Sequence, residues 1–222
     1  MFAKIVLTAI TTLSLAVPAF AQSKKVEVSV LGGWTLADGV SGDTVAGGDG
    51  NLYNRIDPKD SFNWGLMAGV NASDTVEVGF LFNQQMTTLE IGGTTSKDVG
   101  DFNINTYHGY VSYNLGDSDA KARPYILLGL GMTSYGGLTF TRANGQTQEI
   151  GGESQFSGTI GAGVKLYPSP NVGARFGIRW TPTYIKSDAE GWWCDPYWGC
   201  YVVGSAQYAN QWDISGGLTF RF

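Results

Sequence analysis

Along most of the chain apolar and polar residues alternate one for one, and no stretch carries a convincing helical period. Eight segments share this period-two pattern. Val26, Val28, Val30 and Trp34 fall in one phase, as do Phe62, Trp64, Leu66, Ala68 and Val70. Val76, Val78, Phe80 and Phe82 form a third group, and Tyr107, Val111, Tyr113 and Leu115 a fourth. Ile126, Leu128, Leu130 and Met132 follow, then Phe156, Ile160, Ala162, Val164 and Leu166. Val172, Ala174, Phe176, Ile178 and Trp180 make the seventh; Tyr208, Trp212, Ile214, Leu218, Phe220 and Phe222 carry the eighth to the last residue. Such alternation is the mark of a β-strand with one greasy and one polar face.

The connections alternate as well. Residues 71–74, 116–122 and 168–171 are short turns, whereas 37–60, 92–100, 142–153 and 187–204 are longer and rich in Gly, Asp, Ser and Asn. An even number of strands in an up-and-down meander, with short turns at one end, predicts an all-β fold: an eight-stranded antiparallel transmembrane β-barrel with short periplasmic turns and long extracellular loops. Closure leaves no unpaired edge. A secreted soluble barrel of the lipocalin kind has the same alternation with its faces exchanged. Two features favour the membrane. The polar phase is small and sparsely charged, which suits a cramped interior. Trp34, Trp64, Trp180 and Trp212 all lie on the apolar phase, roughly 7 to 10 residues from the short-turn end. In strands of about 9 to 11 residues that places them at one level near the outer interface, as an aromatic girdle.

The N-terminus supports export. Lys4, the apolar run Ile5–Val17 and the small residues of "AFA" before Gln22 read as a signal peptide over 1–21, leaving 22–222 as the barrel domain. The apolar run has 13 positions and contains three threonines and a serine, short of the roughly 20 that a transmembrane helix requires. The formal net charge is −5, and losing the leader removes only Lys4, so nucleic acid is a poor partner.

On these residues, on "GTIGAGVKLYPSPNVGARFGIRW" (158–180) and on the closing "GGLTFRF", the chain resembles the small eight-stranded outer-membrane barrels of Gram-negative bacteria, the OmpA/OmpX-like family. The resemblance implies an outer-membrane location, contact with lipid and lipopolysaccharide, and a C-terminal aromatic signal, Phe220 and Phe222, read by the barrel-insertion machinery. No cofactor or metal is implied, and a monomer is expected.

With the apolar phase on lipid, the lumen receives Glu27, Glu77, His108, Lys165, Arg175, Arg179 and Asp213, with Arg123 and Arg221 near the short-turn end. An eight-stranded barrel is only wide enough for side chains to fill, and buried charges must pair. Arg179 and Asp213 are expected to meet. The lone histidine, His108, has no second triad member placed by the sequence. In loop 187–204, Trp192, Trp193, Tyr197, Trp198 and Tyr201 cluster around Cys194 and Cys200. The aromatics suit a surface ligand or packing within the loop itself. The cysteines suit a disulfide, because Pro196 and Gly199 favour the reversal between them and the exported route is oxidising. The functional expectation is a non-enzymatic barrel with a packed polar lumen and a structural or surface-interaction role. A narrow channel for ions or small solutes and a lipid A-modifying enzyme are the alternatives.

Overall fold

The computed structural model describes residues 26–46, 51–117, 119–141, 147–185, 194–195, 199–200 and 207–222. The expected leader and Trp192, Trp193, Tyr197, Trp198 and Tyr201 lie outside them. Eight long strands make the wall: β1 (Val26–Ala37), β4 (Ser61–Asn71), β5 (Val76–Gly93), β6 (Lys97–Asn114), β7 (Ala122–Tyr135), β10 (Glu153–Leu166), β11 (Val172–Ile185) and β14 (Gln207–Arg221). Three short hairpins decorate the long-loop end. These are β2 (Val40–Ala46) with β3 (Leu52–Pro58), β8 (Leu138–Thr141) with β9 (Thr147–Ile150), and β12 (Cys194–Asp195) with β13 (Gly199–Cys200).

Each wall strand pairs antiparallel with its neighbours, and β14 returns to β1, so the sheet is a closed eight-stranded barrel. The seam runs in unbroken register from Glu27 opposite Arg221 to Ala37 opposite Gln211. At its foot the Phe222 amide donates to the Val26 carbonyl at 2.9 Å. The terminal strand is therefore half of the bond that shuts the cylinder. Short turns hold the foot together through local hydrogen bonds. Ser73 Oγ accepts from the Val76 amide at 3.0 Å, and Ser169 Oγ accepts from the Val172 amide at 3.0 Å. Gly116 takes φ of 89°, a left-handed conformation that a residue with Cβ adopts only at a cost.

The alternation of the sequence becomes an alternation of environment. Val30, Phe62, Leu66, Phe80, Val111, Leu128, Ile160, Phe176 and Ile214 project outward and are exposed, while Glu27, Glu77, Lys165, Arg175 and Thr219 are buried inside. Only a surrounding apolar medium makes that inversion favourable, since each exposed large apolar side chain would otherwise face water.

Two expected loops are mostly strand. The composition of 92–100 predicts a long connection, but β5 and β6 run on through most of it and leave only residues 94–96 between them. The segment 37–60 contains β2 and β3, and β3 continues the sheet by pairing with β5 from Tyr53 opposite Gly93 to Pro58 opposite Leu89. The cause is a reversal of phase. Lower on β5 the apolar residues Val78, Phe80 and Phe82 point out; higher up Leu89 and Ile91 point in, and Thr88 and Glu90 face out. On β6 Phe102 and Ile104 point in, against Tyr107, Val111 and Tyr113, which point out below. Above the level of the tryptophans the wall stands in water and carries its apolar side chains inward, as a soluble barrel does. Val40, Tyr53, Ile56, Leu89, Ile91, Phe102, Ile104, Tyr135, Ile185 and Ala209 form this upper core.

Truncating that core should loosen the cap and spare the wall. Leu89→Ala removes a buried side chain whose loss costs about 2–5 kcal/mol in a well-packed core. The expected outcome is faster cleavage of the extracellular hairpins by protease on intact cells, with unchanged heat-modifiable migration of the barrel on gels.

Candidate functional site: the barrel lumen and its extracellular cap

The lumen is filled in layers. At the foot Lys165 Nζ lies 2.7 Å from Glu27 Oε2 and 2.5 Å from Glu77 Oε2, bridging two carboxylates on strands across the barrel. Arg221 Nε donates to Glu27 Oε1 at 3.0 Å, Asn71 Nδ2 donates to the same oxygen at 3.1 Å, and the Tyr167 hydroxyl donates to Oε2 at 2.9 Å. Tyr110 donates to Glu77 Oε1 at 2.5 Å, and Arg175 approaches that oxygen to 3.6 Å. Arg123 turns its guanidinium to the Asp74 carbonyl. Lys165 is wholly buried, so these contacts stand in for the hydration its charge has lost. Glycines make the room. A Cβ at Gly69 would lie 2.5 Å from Glu77, and one at Gly177 would lie 2.5 Å from the Tyr125 hydroxyl.

Above this layer Leu31, Met67, Leu81 and Leu127, with Tyr110 and Tyr125, form a contiguous apolar cluster inside the wall. A second polar net follows. Asp213 Oδ1 accepts from Thr35 at 2.5 Å and from Asn63 Nδ2 at 3.1 Å. Arg179 is the strand partner of Asp213, with a nitrogen 3.7 Å from Oδ2, and it donates to Asn83 Oδ1 at 3.1 Å. His108 Nε2 lies 2.8 Å from Ser157 Oγ, which also accepts from Thr133 at 2.9 Å. Ser112, four residues further along the same strand, is not part of that contact. Gln211 donates to Gln85 at 2.7 Å beneath the apolar cap.

The four tryptophans expected to form a girdle, Trp34, Trp64, Trp180 and Trp212, lie on the outer face. Trp180 and Trp212 are strand partners with ring centroids 6.1 Å apart, and Trp180 Nε1 donates to Asn210 Oδ1 at 3.1 Å. Trp64 packs edge-on to Phe82 at 5.3 Å and donates to Gln84 at 2.9 Å, while Trp34 is half exposed opposite Ile214 and Phe62. Each indole faces outward from the wall; Trp64 and Trp180 also turn N–H groups to an outward amide. Phe222 is exposed at the foot, facing outward.

Beyond the interface the cap is polar outside. Arg55 is held between Asp38 and Asp57 at 2.7 Å each, and Lys59 reaches Asp98 at 2.6 Å and Glu90 at 3.4 Å. The Asp98 hydrogen bond, ahead of the other contacts, holds Lys59 above its ordinary pKa. Cys194 and Cys200 are strand partners across β12 and β13. Among the described residues no group of three His, Cys, Asp or Glu side chains gathers as a metal cluster would.

Sequence periodicity alone separates inward from outward residues, but it does not identify which inward residues bond. Thr35, Asn63, Asn71, Asn83, Tyr125, Ser157 and Tyr167 were missed as partners of the lumen charges. All are inward-facing, and a search of the polar phase for amides and hydroxyls would have found them.

A closed antiparallel barrel of eight strands with a lipid-facing exterior and a charged interior defines the class: an outer-membrane β-barrel protein. The model of the outer membrane protein beta-barrel domain matches residues 7–222, and the chain belongs to that family. Its location is the outer membrane of a Gram-negative bacterium. Among solved structures, the Neisserial surface protein NspA is 16% identical with a TM-score of 0.50, and the match covers 89% of this chain and 97% of that one. OprG from Pseudomonas aeruginosa is 14% identical with a TM-score of 0.50, covering 88% and 95%. The N-terminal barrel of Pseudomonas aeruginosa OprF is 16% identical with a TM-score of 0.48, covering 90% and 98%. These likenesses concern fold alone. Comparison with curated proteins gave no match.

The upper net yields a quantitative test. Arg179→Ala and Asp213→Ala should each destabilise the barrel, and the double variant should lose less than their sum. A coupling of about 0.5–3 kcal/mol is expected from a double-mutant cycle by urea unfolding in micelles. Strict additivity would mean that the 3.7 Å approach contributes nothing.

Proposed function

We propose that the protein is a non-enzymatic outer-membrane barrel whose lumen is a packed polar core and whose work is done by its extracellular surface. One observation carries this reading. The interior is occupied at successive heights by the Lys165 bridge, the Leu31–Met67–Leu81–Leu127 cluster, the Asp213 net and the apolar cap. A solute would have to displace all four. The chemistry inside also favours a non-enzyme, because His108 and Ser157 are both buried, their hydrogen bond lying within the wall and out of reach of lipid. Outer-membrane lipid and lipopolysaccharide surround the girdle, and the insertion machinery reads the terminal Phe220 and Phe222. Loop 187–204, with its five aromatics, meets the surface ligand.

Purified protein in planar bilayers should give no conductance steps, and lipid A from cells with and without the protein should have one mass spectrum. Regular unitary currents would favour the narrow channel instead, and a mass change in lipid A would favour the enzyme.

The surface reading requires a loop that holds its shape. Directly opposed residues of an antiparallel pair have Cα atoms about 4.5–5.5 Å apart, inside the range for a disulfide. The native protein, unfolded without reductant, should therefore titrate with no free thiol from Cys194 or Cys200. Two free thiols would remove the covalent staple from the proposal.

A further inference from the structure

The foot of the lumen has more buried positive charge than its carboxylates can match. Lys165, Arg123, Arg175 and Arg221 are buried there, against Glu27 and Glu77. Both carboxylates are committed. Glu77 gives one oxygen to Tyr110 and the other to Lys165; Glu27 gives one to Arg221 and Asn71 and the other to Lys165 and Tyr167. Arg175 is left over. It is 1% exposed, and none of its three guanidinium nitrogens has an acceptor in good hydrogen-bond geometry, the Tyr125 hydroxyl supporting its charge only electrostatically. Glu77 stays at 3.6 Å, too far to receive a proton from it in a good hydrogen bond. Tyr125 meets the guanidinium as a ring, with the centroid 4.3 Å from Cζ, and its hydroxyl ends against Gly163 and Gly177. Stacking covers the face of the cation and leaves its N–H edge to be satisfied.

We propose that the foot of the lumen is an anion site in which Arg175 holds one small monovalent ion of the chloride class. Charge selects that ligand. An anion lowers the surplus of positive charge and accepts from the N–H edge, which restores the pairing a buried guanidinium requires. The bound ion is an integral part of the core, independent of what the extracellular loops recognise. Binding to the folded barrel alone stabilises it by RT ln(1 + c/Kd) at ion concentration c, which goes on rising with the logarithm of c once the site is full.

The test uses the mature chain refolded in detergent micelles. Chloride replaces gluconate at constant ionic strength, and the urea midpoint is read at each step. The expected result is a rise in midpoint that becomes linear in the logarithm of chloride concentration, and its loss in Arg175→Met. Crystals grown in bromide should show an anomalous peak at the guanidinium edge, which decides the matter in the unaltered protein if the variant does not fold. A midpoint indifferent to chloride, or a guanidinium edge occupied by water with no anomalous signal, overturns the proposal.

Discussion

Every backbone amide and carbonyl of this chain that lies in hydrocarbon must find a partner within the protein, because no water is there to supply one. The seam between β1 and β14 meets that demand. Seven of the eight junctions in the wall could form in an open, curled sheet; only the pairing of Val26–Ala37 with Gln207–Arg221 removes the last two edges. The inward phase becomes a sealed interior only once that seam exists, so the lumen charges, the glycine niches and the cap all presuppose it. The outward phase follows from the same closure, since a cylinder gives each strand one face to lipid and one to the interior.

Two solvents then write two codes along one strand. In the bilayer the wall is apolar outside and, apart from the Leu31–Met67–Leu81–Leu127 cluster, polar inside; above the tryptophan level the order is reversed, and Leu89 and Ile91 occupy the face that Glu77 and Asn83 occupy below. The polar core and the apolar core are thus stacked end to end within one barrel. Their boundary lies at Gln85, Thr87 and Gln211, where amides and hydroxyls bond to each other and to the Lys59 carbonyl. These uncharged groups suit a boundary, as each can be satisfied by one or two short bonds without a counter-charge.

Fold class was legible because period-two patterning with exposed Phe, Val and Leu has few physical solutions. The extent of β5 and β6 was not. A search for one phase ends at Phe82, whereas the strand goes on and only the sign of the pattern changes at Leu89. Lumen membership was likewise legible for Glu27, Glu77, His108, Lys165, Arg175, Arg179 and Asp213, since phase alone fixes it. Their partners were not, because contacts across a barrel depend on tilt and stagger. Lys165 on β10 meets Glu77 on β5, a pairing that no local spacing encodes. The β2–β3 hairpin was hidden for another reason: in Val40–Ala46 glycine and polar residues break the alternation, and the segment is held as strand by pairing with β3.

The seam also sets a timetable. Ser29 bonds to Thr219 and Arg221 to Glu27 across separations of 190 and 194 residues, so these contacts join the first strand to the last. Loop closure over such a span is entropically slow, and the transition state must await nearly the whole polypeptide. Until the final strand arrives, β1 presents a bare edge that can pair wrongly with any other strand. The barrel is therefore a structure that cannot be finished piecemeal during synthesis, and a chain truncated by even its last few residues would have lost the latch that makes it a barrel.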